Sequence, residues 1–219
     1  MTAMPEPTAP ALTLYADASW MSPWVFHAMV ALEEKQLPYQ LEIVPAPMPG
    51  ALKAELEPRA ILAEPPILVH GETWIADSLA ISEYLAETFP APDHPRLFPA
   101  DLGDRARARQ IMMFLRTRTF ALREARPTWS VLARPNPGAM PDAARADAAE
   151  LERIALAVIP EGQTSLFGAW CIADADLALA LMRLIANQDP LDRRLHDYAV
   201  AQLDRASVRR FMAHLPTDR

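Results

Sequence analysis

Three short runs in this sequence carry side chains whose types and spacing suit a ligand with an anionic sulfur and a zwitterionic end. The first is Ser22-Pro23, placed just after the short apolar segment Leu12–Tyr15. Serine followed by proline marks a helix start, with Ser at the N-cap and Pro at the first helical position. A hydroxyl at that place can also donate to a bound thiolate. A free thiol titrates at ~8.5, so activity near neutral pH requires the charged form to be favoured. A hydroxyl donor and a helix N-terminus both favour it, each pKa unit being worth ~1.4 kcal/mol. Capping and thiolate stabilisation are both open to Ser22, and neither makes it a nucleophile.

The second run is Pro65-Pro66, immediately before Ile67–His70. Proline is tolerated at the first residue of a strand. A cis bond before Pro66 would instead turn the backbone of residue 65 towards a ligand, although only ~5–6% of X–Pro bonds in folded proteins are cis. The third run is Asp77-Ser78, opening a helix after a hairpin. Capping alone accounts for it. A binding reading adds that the Ser78 amide and hydroxyl face outward at a positive helix end and take a carboxylate, while Asp77 receives an ammonium group. An α-amino acid terminus fits that pair. A further run, Phe167–Asp174, is structural: Asp174 stands three residues after Cys171, where a capping-box acid belongs.

These runs need elements to hold them. Leu12–Tyr15 and Tyr39–Val44 are strand-like, and Val25, Phe26, Met29, Val30 and Leu32 give the helix after Ser22 an inward face, with Glu33-Glu34-Lys35 ending it in solvent. A short helix is expected at Ala51–Glu57. Ile67–His70 and Thr73–Ile75 flank His70-Gly71-Glu72 as a hairpin, and a helix runs from Asp77-Ser78 through Ala86. The order βαβαββα implies a mixed sheet covered by helices. Four prolines within Phe89–Asp101 mark a linker, beyond which strand signals vanish. Helical patterns cover Asp104–Arg126, Asp142–Ile159, Asp174–Asn187, Leu191–Leu203 and Ser207–Leu215. The expected organisation is α/β over residues 11–88 followed by an all-α domain over residues 102–219.

Composition excludes several alternatives. Half of the 219 residues are apolar (51%) and 22% are charged, which suits a globular chain with a sizeable core. A net charge of -7 with no basic stripe argues against nucleic acid or an anionic membrane as partner. The first residues, MTAMPEPTAPA, lack the features of a secretory signal and are expected to form a frayed tail. The single cysteine, Cys171, excludes an intrachain disulfide and fits a reducing, cytoplasmic setting. It is expected to be a structural thiol.

Taken in order, these residues resemble the cytosolic glutathione transferases over Leu12 to about Leu215. The likeness is greatest to the bacterial YfcF-type subgroup, through Ser22-Pro23, Pro66-Ile67-Leu68, Asp77–Ile81, Arg105–Gln110, Trp170–Leu179 and Arg205–Val208. The resemblance implies a thioredoxin-like N-terminal domain, glutathione as co-substrate, no metal, a small electrophilic second substrate and a homodimer. It implies that Ser22 hydrogen-bonds the glutathione sulfur, that Pro66 is cis, and that residue 65 faces the cysteinyl part of glutathione. Asp77 and Ser78 then hold the γ-glutamyl end, and Asp174 is the acid of a folding-critical capping box.

Three departures from the family pattern bear on glutathione affinity. Pro65 has no N–H to donate, a loss of ~0.5–1.5 kcal/mol. Glu64 stands where several relatives carry a base near the glycyl carboxylate, so Lys53 or Arg59 must compensate it. Cys171 replaces the usual Ser or Thr of the capping box. The second substrate is expected between the first helix and Asp104–Arg126, beside Trp20, Trp24, Met113, Arg116 and Phe120, although such stripes also build cores. Arg116 and Arg123 can serve an anionic transition state or pair with Glu124, and His27 is expected to be packed or at the surface rather than catalytic. The reaction implied is thiolate attack on an electrophile, with peroxidase or disulfide-reductase side activity. Glutathione-dependent isomerisation or thioether cleavage, and a non-catalytic interaction module, are the alternatives.

Overall fold

The computed structural model describes residues 12–216. The expected frayed tail and the outer ends of the two expected domains, at residue 11 and residues 217–219, lie outside the described residues. The first seven elements are β1 (Leu12–Asp17), α1 (Pro23–Glu34), β2 (Gln40–Val44), α2 (Gly50–Leu56), β3 (Ile67–His70), β4 (Thr73–Ala76) and α3 (Ser78–Thr88). They form one four-stranded sheet in the order β2-β1-β3-β4. β1 runs parallel to β2 and antiparallel to β3, and β3 pairs antiparallel with β4. This is the thioredoxin-like arrangement.

The sheet sorts side chains between two layers by strand alternation. Leu12, Leu14 and Ala16 of β1 are buried in the main core with Val25, Phe26, Ile81 and Leu85 of α1 and α3. Tyr15, Ile67, Trp74 and Ala76 instead meet Leu56, Ala60 and Ala63 on the opposite face. The β3–β4 hairpin closes through Gly71-Glu72, with His70 opposite Thr73. Gly71 has φ +58, the left-handed value that the first central position of a tight hairpin turn requires.

Helices alone follow: α4 (Leu102–Thr117), α5 (Phe120–Ala125), α6 (Thr128–Leu132), α7 (Asp142–Val158), α8 (Ile172–Ala186), α9 (Arg193–Leu203) and α10 (Ala206–Met212). The single helix expected over Asp104–Arg126 breaks between α4 and α5. Thr117 Oγ1 donates to the Met113 carbonyl at 2.7 Å and Thr119 Oγ1 to the Leu115 carbonyl at 2.8 Å. Threonine back-bonding of this kind competes with the backbone ladder. The short helix α6 had no counterpart in the sequence pattern.

Helix α1 is buried on every side from Val25 to Leu32, because α3 and the sheet cover one flank while α8 and α10 cover the other. Its end does not lie in solvent as the run Glu33-Glu34-Lys35 suggests. Glu34 accepts both guanidinium bonds of Arg205, at 2.9 and 2.7 Å, and Glu33 pairs with Arg210. Lys35 is buried, its ammonium donating to the Phe89 carbonyl. The α/β and helical halves therefore share one core. No helix among the described residues is long and apolar enough to cross a membrane.

Helix α8 is the centre of the helical half, mostly apolar and buried on nearly every side. Its start is the capping box read from the sequence. Asp174 accepts from the Cys171 N–H at 2.8 Å, the Leu166 N–H at 2.8 Å and the Tyr198 hydroxyl at 2.7 Å, all without contact with water. Burial and the neighbouring Asp174 carboxylate push the Cys171 thiol far above its usual range, so this cysteine is an unreactive packing group. Charge-assisted bonds are worth ~1.5–3 kcal/mol each. Asp174→Ala is therefore expected to lower the unfolding free energy by at least ~3 kcal/mol, read as the shift in a urea midpoint.

Candidate active site

The site begins at the loop between β1 and α1. Ser22 is the N-cap of α1, with φ -80 and ψ 118, and its Oγ accepts from the Val25 N–H at 3.3 Å. Pro23 follows at the first helical position, where its missing N–H is not needed. The cap engages a lone pair of the hydroxyl and leaves its proton to donate. Capping and anion stabilisation are thus compatible in one side chain.

The Pro65–Pro66 bond is cis. Beside it, Lys53 Nζ lies 3.4 Å from Glu64 Oε1, both well exposed, while Arg59 lies over the Trp74 ring at 5.3 Å. Lys53 rather than Arg59 is the cation that offsets the acid. Exposed pairs of this kind are weak, ~0–1 kcal/mol, so Lys53 remains able to leave Glu64 for another carboxylate.

Asp77 is the N-cap of α3 at φ +79, a strained value for a residue with a side chain. Its Oδ1 accepts from the Leu79 N–H at 2.8 Å and the Ala80 N–H at 3.1 Å. Oδ2 makes neither of these bonds, and the residue is exposed. An ammonium group can therefore be received there. Ser78 is placed otherwise than the sequence suggests. It is buried, and its hydroxyl turns inward to accept from Arg116 Nη2 at 3.2 Å.

Arg116 is the hinge of a buried network that joins four helices. Its Nη1 meets Asp176 Oδ2 at 2.6 Å, and Asp176 Oδ1 lies 2.8 Å from Nδ1 of His27, which is fully buried on α1. The His27 ring must donate from Nδ1 to reach the carboxylate, so the 3.4 Å approach of Arg116 Nη2 to that atom is not a hydrogen bond. Burial by itself would raise the Asp176 carboxyl, but His27 and Arg116 together hold it down at about 2. His27 is packed, not at the surface. Asp176 and Arg183 were not singled out in the sequence, although a charge inside a helix as apolar as Ile172–Ala186 requires a partner.

Of the five side chains expected around a second substrate, two line one cleft. Trp24 and Phe120 face a space of about 520 Å³ with Met21, Pro23, Arg123 and Trp129. Phe120 is exposed, and both Trp24 and Phe120 lie under the Arg123 guanidinium, at 5.1 and 5.4 Å. Arg116 lies over the Trp24 ring at 4.8 Å but is spent on Asp176, not on Glu124. Trp20 is packed away, stacked on His214 at 4.2 Å and edge-on to Phe211. Met113 is exposed on α4, outside the residues that line the cleft.

Comparison with known proteins gives the family. The family model for the glutathione S-transferase N-terminal domain matches residues 21–88, and that for the C-terminal domain matches residues 101–216. The chain belongs to the glutathione transferase family. It is 31% identical to a glutathione transferase homologue from Burkholderia GL BGR1 with bound glutathione, covering 92% of this chain and 96% of that one, with a TM-score of 0.74. A bacterial zeta-class glutathione transferase, a maleyl pyruvate isomerase, is 25% identical with a TM-score of 0.67, covering 94% of this chain and all (100%) of that one. Glutathione S-transferase U13 of Arabidopsis thaliana is 32% identical over 113 residues, 52% of this chain and 49% of that protein. The chain spans about half the length of the curated relatives it matches.

The Asp176 network carries a pH signature. A carboxyl held at about 2 instead of its ordinary 3.8 adds stability that is complete above that ordinary value and is lost as pH falls towards 2. Asp176→Asn is expected to cost roughly 3 kcal/mol at neutral pH, because it strands Arg116 and His27. The urea midpoint of the variant should also fall less steeply than that of the wild type between pH 4 and pH 2.

Proposed function

We propose that the chain is a serine-type glutathione transferase in which the Ser22 hydroxyl stabilises the glutathione thiolate for attack on an electrophile. The observation that carries this reading is the geometry of Ser22. Its oxygen caps α1 through Val25, its proton is unspent, and the aromatic cleft begins at its neighbours Met21, Pro23 and Trp24. The glutathione-bound Burkholderia homologue supports glutathione as the co-substrate. Within the family we place the chain in the bacterial YfcF-type subgroup on its Ser22-Pro23, Pro66-Ile67-Leu68 and Asp77-Ser78-Leu79 motifs. The glutathione-binding domain is assigned to residues 11–88 and the helical domain to residues 102–219, acting in the cytoplasm as a homodimer.

In this mechanism Asp77 Oδ2 receives the γ-glutamyl ammonium, and the Ser78 N–H, left over at the start of α3 while Asp77 caps Leu79 and Ala80, receives its carboxylate. The Ser78 hydroxyl supports that end from behind through Arg116. Lys53 serves the glycyl carboxylate, released from Glu64. Pro65 offers only its carbonyl, so one backbone bond to the cysteinyl part is absent and affinity is correspondingly lower. With no cysteine near the start of α1, any peroxide or disulfide reduction runs through the thiol of glutathione itself.

A second reading, glutathione-dependent isomerisation, is favoured by the likeness to the zeta-class isomerase. The two separate on stoichiometry, since isomerisation returns glutathione unconsumed. The third reading, a non-catalytic module, rests on Glu64 and Pro65. Calorimetry that detected no glutathione binding at millimolar concentration would establish it and sink the other two.

Substitution of Ser22 tests the mechanism directly. Ser22→Ala removes both the cap and the donor, whereas Ser22→Asp keeps an N-cap acceptor and loses the donor. Both are expected to lower kcat/KM for glutathione conjugation by ~10–100-fold, the worth of one hydrogen bond to an anion. The titration of bound glutathione, followed by thiolate absorbance, should move up by one to two units. Unchanged kcat/KM in Ser22→Asp would show the assignment to be wrong.

A further inference from the structure

The cleft beside Ser22 holds an imbalance of charge that glutathione itself does not address. Arg123 and Arg183 both line it. Neither has a carboxylate partner among the described residues, and both are at least partly withdrawn from water, Arg183 almost completely. Arg183 donates instead to neutral oxygens, from Nη1 to the Arg126 carbonyl at 2.5 Å and from Nη2 to Thr128 Oγ1 at 3.1 Å. Arg123 donates from Nη1 to the Arg116 carbonyl at 3.0 Å. The other charges nearby do not cancel them. Arg116 is satisfied by Asp176, Arg126 by Asp189 at 2.7 and 2.8 Å, and Glu124 sits exposed on the rim, paired with neither cation.

Two guanidinium groups held close together in a partly dry cleft repel one another, and each lacks the compensation that withdrawn charges normally have. Burial first, and the Arg123 charge next, lower Arg183 to about 10, while burial and then the Arg116 charge lower Arg123. An anion arriving between them would relieve both penalties at once. The walls specify the rest of the ligand. Phe120 and Trp129 offer exposed rings to a flat body, Trp24 backs the Arg123 guanidinium, and Met21 and Pro23 lie at the end next to Ser22.

We propose that this cleft binds electrophiles that carry a carboxylate on a flat conjugated or aromatic frame, with Arg123 and Arg183 as the residues that select the charge. The assignment rests on the glutathione transferase reading for its chemistry, but not for the anion-binding itself. The reacting carbon lies towards Ser22 and the carboxylate towards α5 and α8. In substitution on an activated haloaromatic acid, the thiolate sulfur forms a bond to the ring carbon, the carbon–halogen bond breaks, and the halide leaves with its electron pair. No oxidant or reductant takes part.

The test pairs chlorodinitrobenzoate with its uncharged methyl ester, in the wild type, Arg123→Gln and Arg123→Lys. Arg183 is left in place because it also holds the Arg126 carbonyl. In the wild type kcat/KM for the acid is expected to exceed that for the ester by ~10-fold or more once each is divided by its uncatalysed rate with glutathione. Arg123→Gln should remove most of that preference, read as the acid-to-ester ratio within each variant, and Arg123→Lys should retain part of it. Binding of the unreactive dinitrobenzoate, followed by quenching of tryptophan fluorescence, gives a readout independent of turnover and should follow the same order. Selective binding of the acid without any conjugation would sustain the anion site and overturn the transferase reading. Equal binding of acid and ester in the wild type, or a preference that persists in Arg123→Gln, would overturn the anion site.

Discussion

The carboxylate of Asp176 is the constraint on which the rest of the molecule turns. It sits on the central helix of the α-helical half and faces a histidine of α1 and an arginine of α4. Arg116 in turn reaches the first residue of α3. Four helices from both halves thereby meet in one small polar network inside a shared apolar core. Removing a single member would leave charges stranded away from water, so the network fixes the relative placement of the halves more strictly than apolar packing alone. The two ends of the proposed glutathione site, Ser22 on α1 and Asp77-Ser78 on α3, are held in one frame by it.

Ser22 shows how one side chain meets a structural and a chemical demand together. A helix with proline at its first position has few N–H groups left at its start, and the serine oxygen satisfies that of Val25. The hydroxyl proton plays no part in that bond. It is free to donate to an anion at the mouth of the helix, where the helix dipole also favours negative charge. The neighbouring exposed pair of Lys53 and Glu64 works differently. It is weak enough to exchange partners, so the acid that departs from the family pattern brings its own counter-charge with it.

The aromatic cleft is marked by what its arginines lack. Arg116 and Arg126 each have a carboxylate of their own, whereas Arg123 and Arg183 are met by carbonyls, a hydroxyl and aromatic faces. Arginine tolerates this better than lysine because its charge is delocalised and weakly hydrated, and because its plane stacks on rings. The cleft thus keeps a positive floor without collapsing onto an internal acid.

Local chemistry alone determined much of this protein. The short apolar runs Leu12–Tyr15 and Ile67–His70, the Ser22-Pro23 and Asp77-Ser78 starts, and the Cys171-to-Asp174 spacing each lie within a few residues, so they are legible along the chain. The βαβαββα order and the helical half follow from them. What only the tertiary structure decided involves partners far apart in sequence. Arg116 finds Asp176 sixty residues on, which ties it into the buried network rather than the aromatic cleft. Trp20 stacks on His214, Glu33 and Glu34 meet α10, and the Ser78 hydroxyl turns inward because a guanidinium waits there. A charge, an indole or a hydroxyl has the same appearance in sequence whether its partner is water, a ligand or another helix. Which of these it meets is set by how α1, α4 and α8 pack, and that packing is a property of the whole chain.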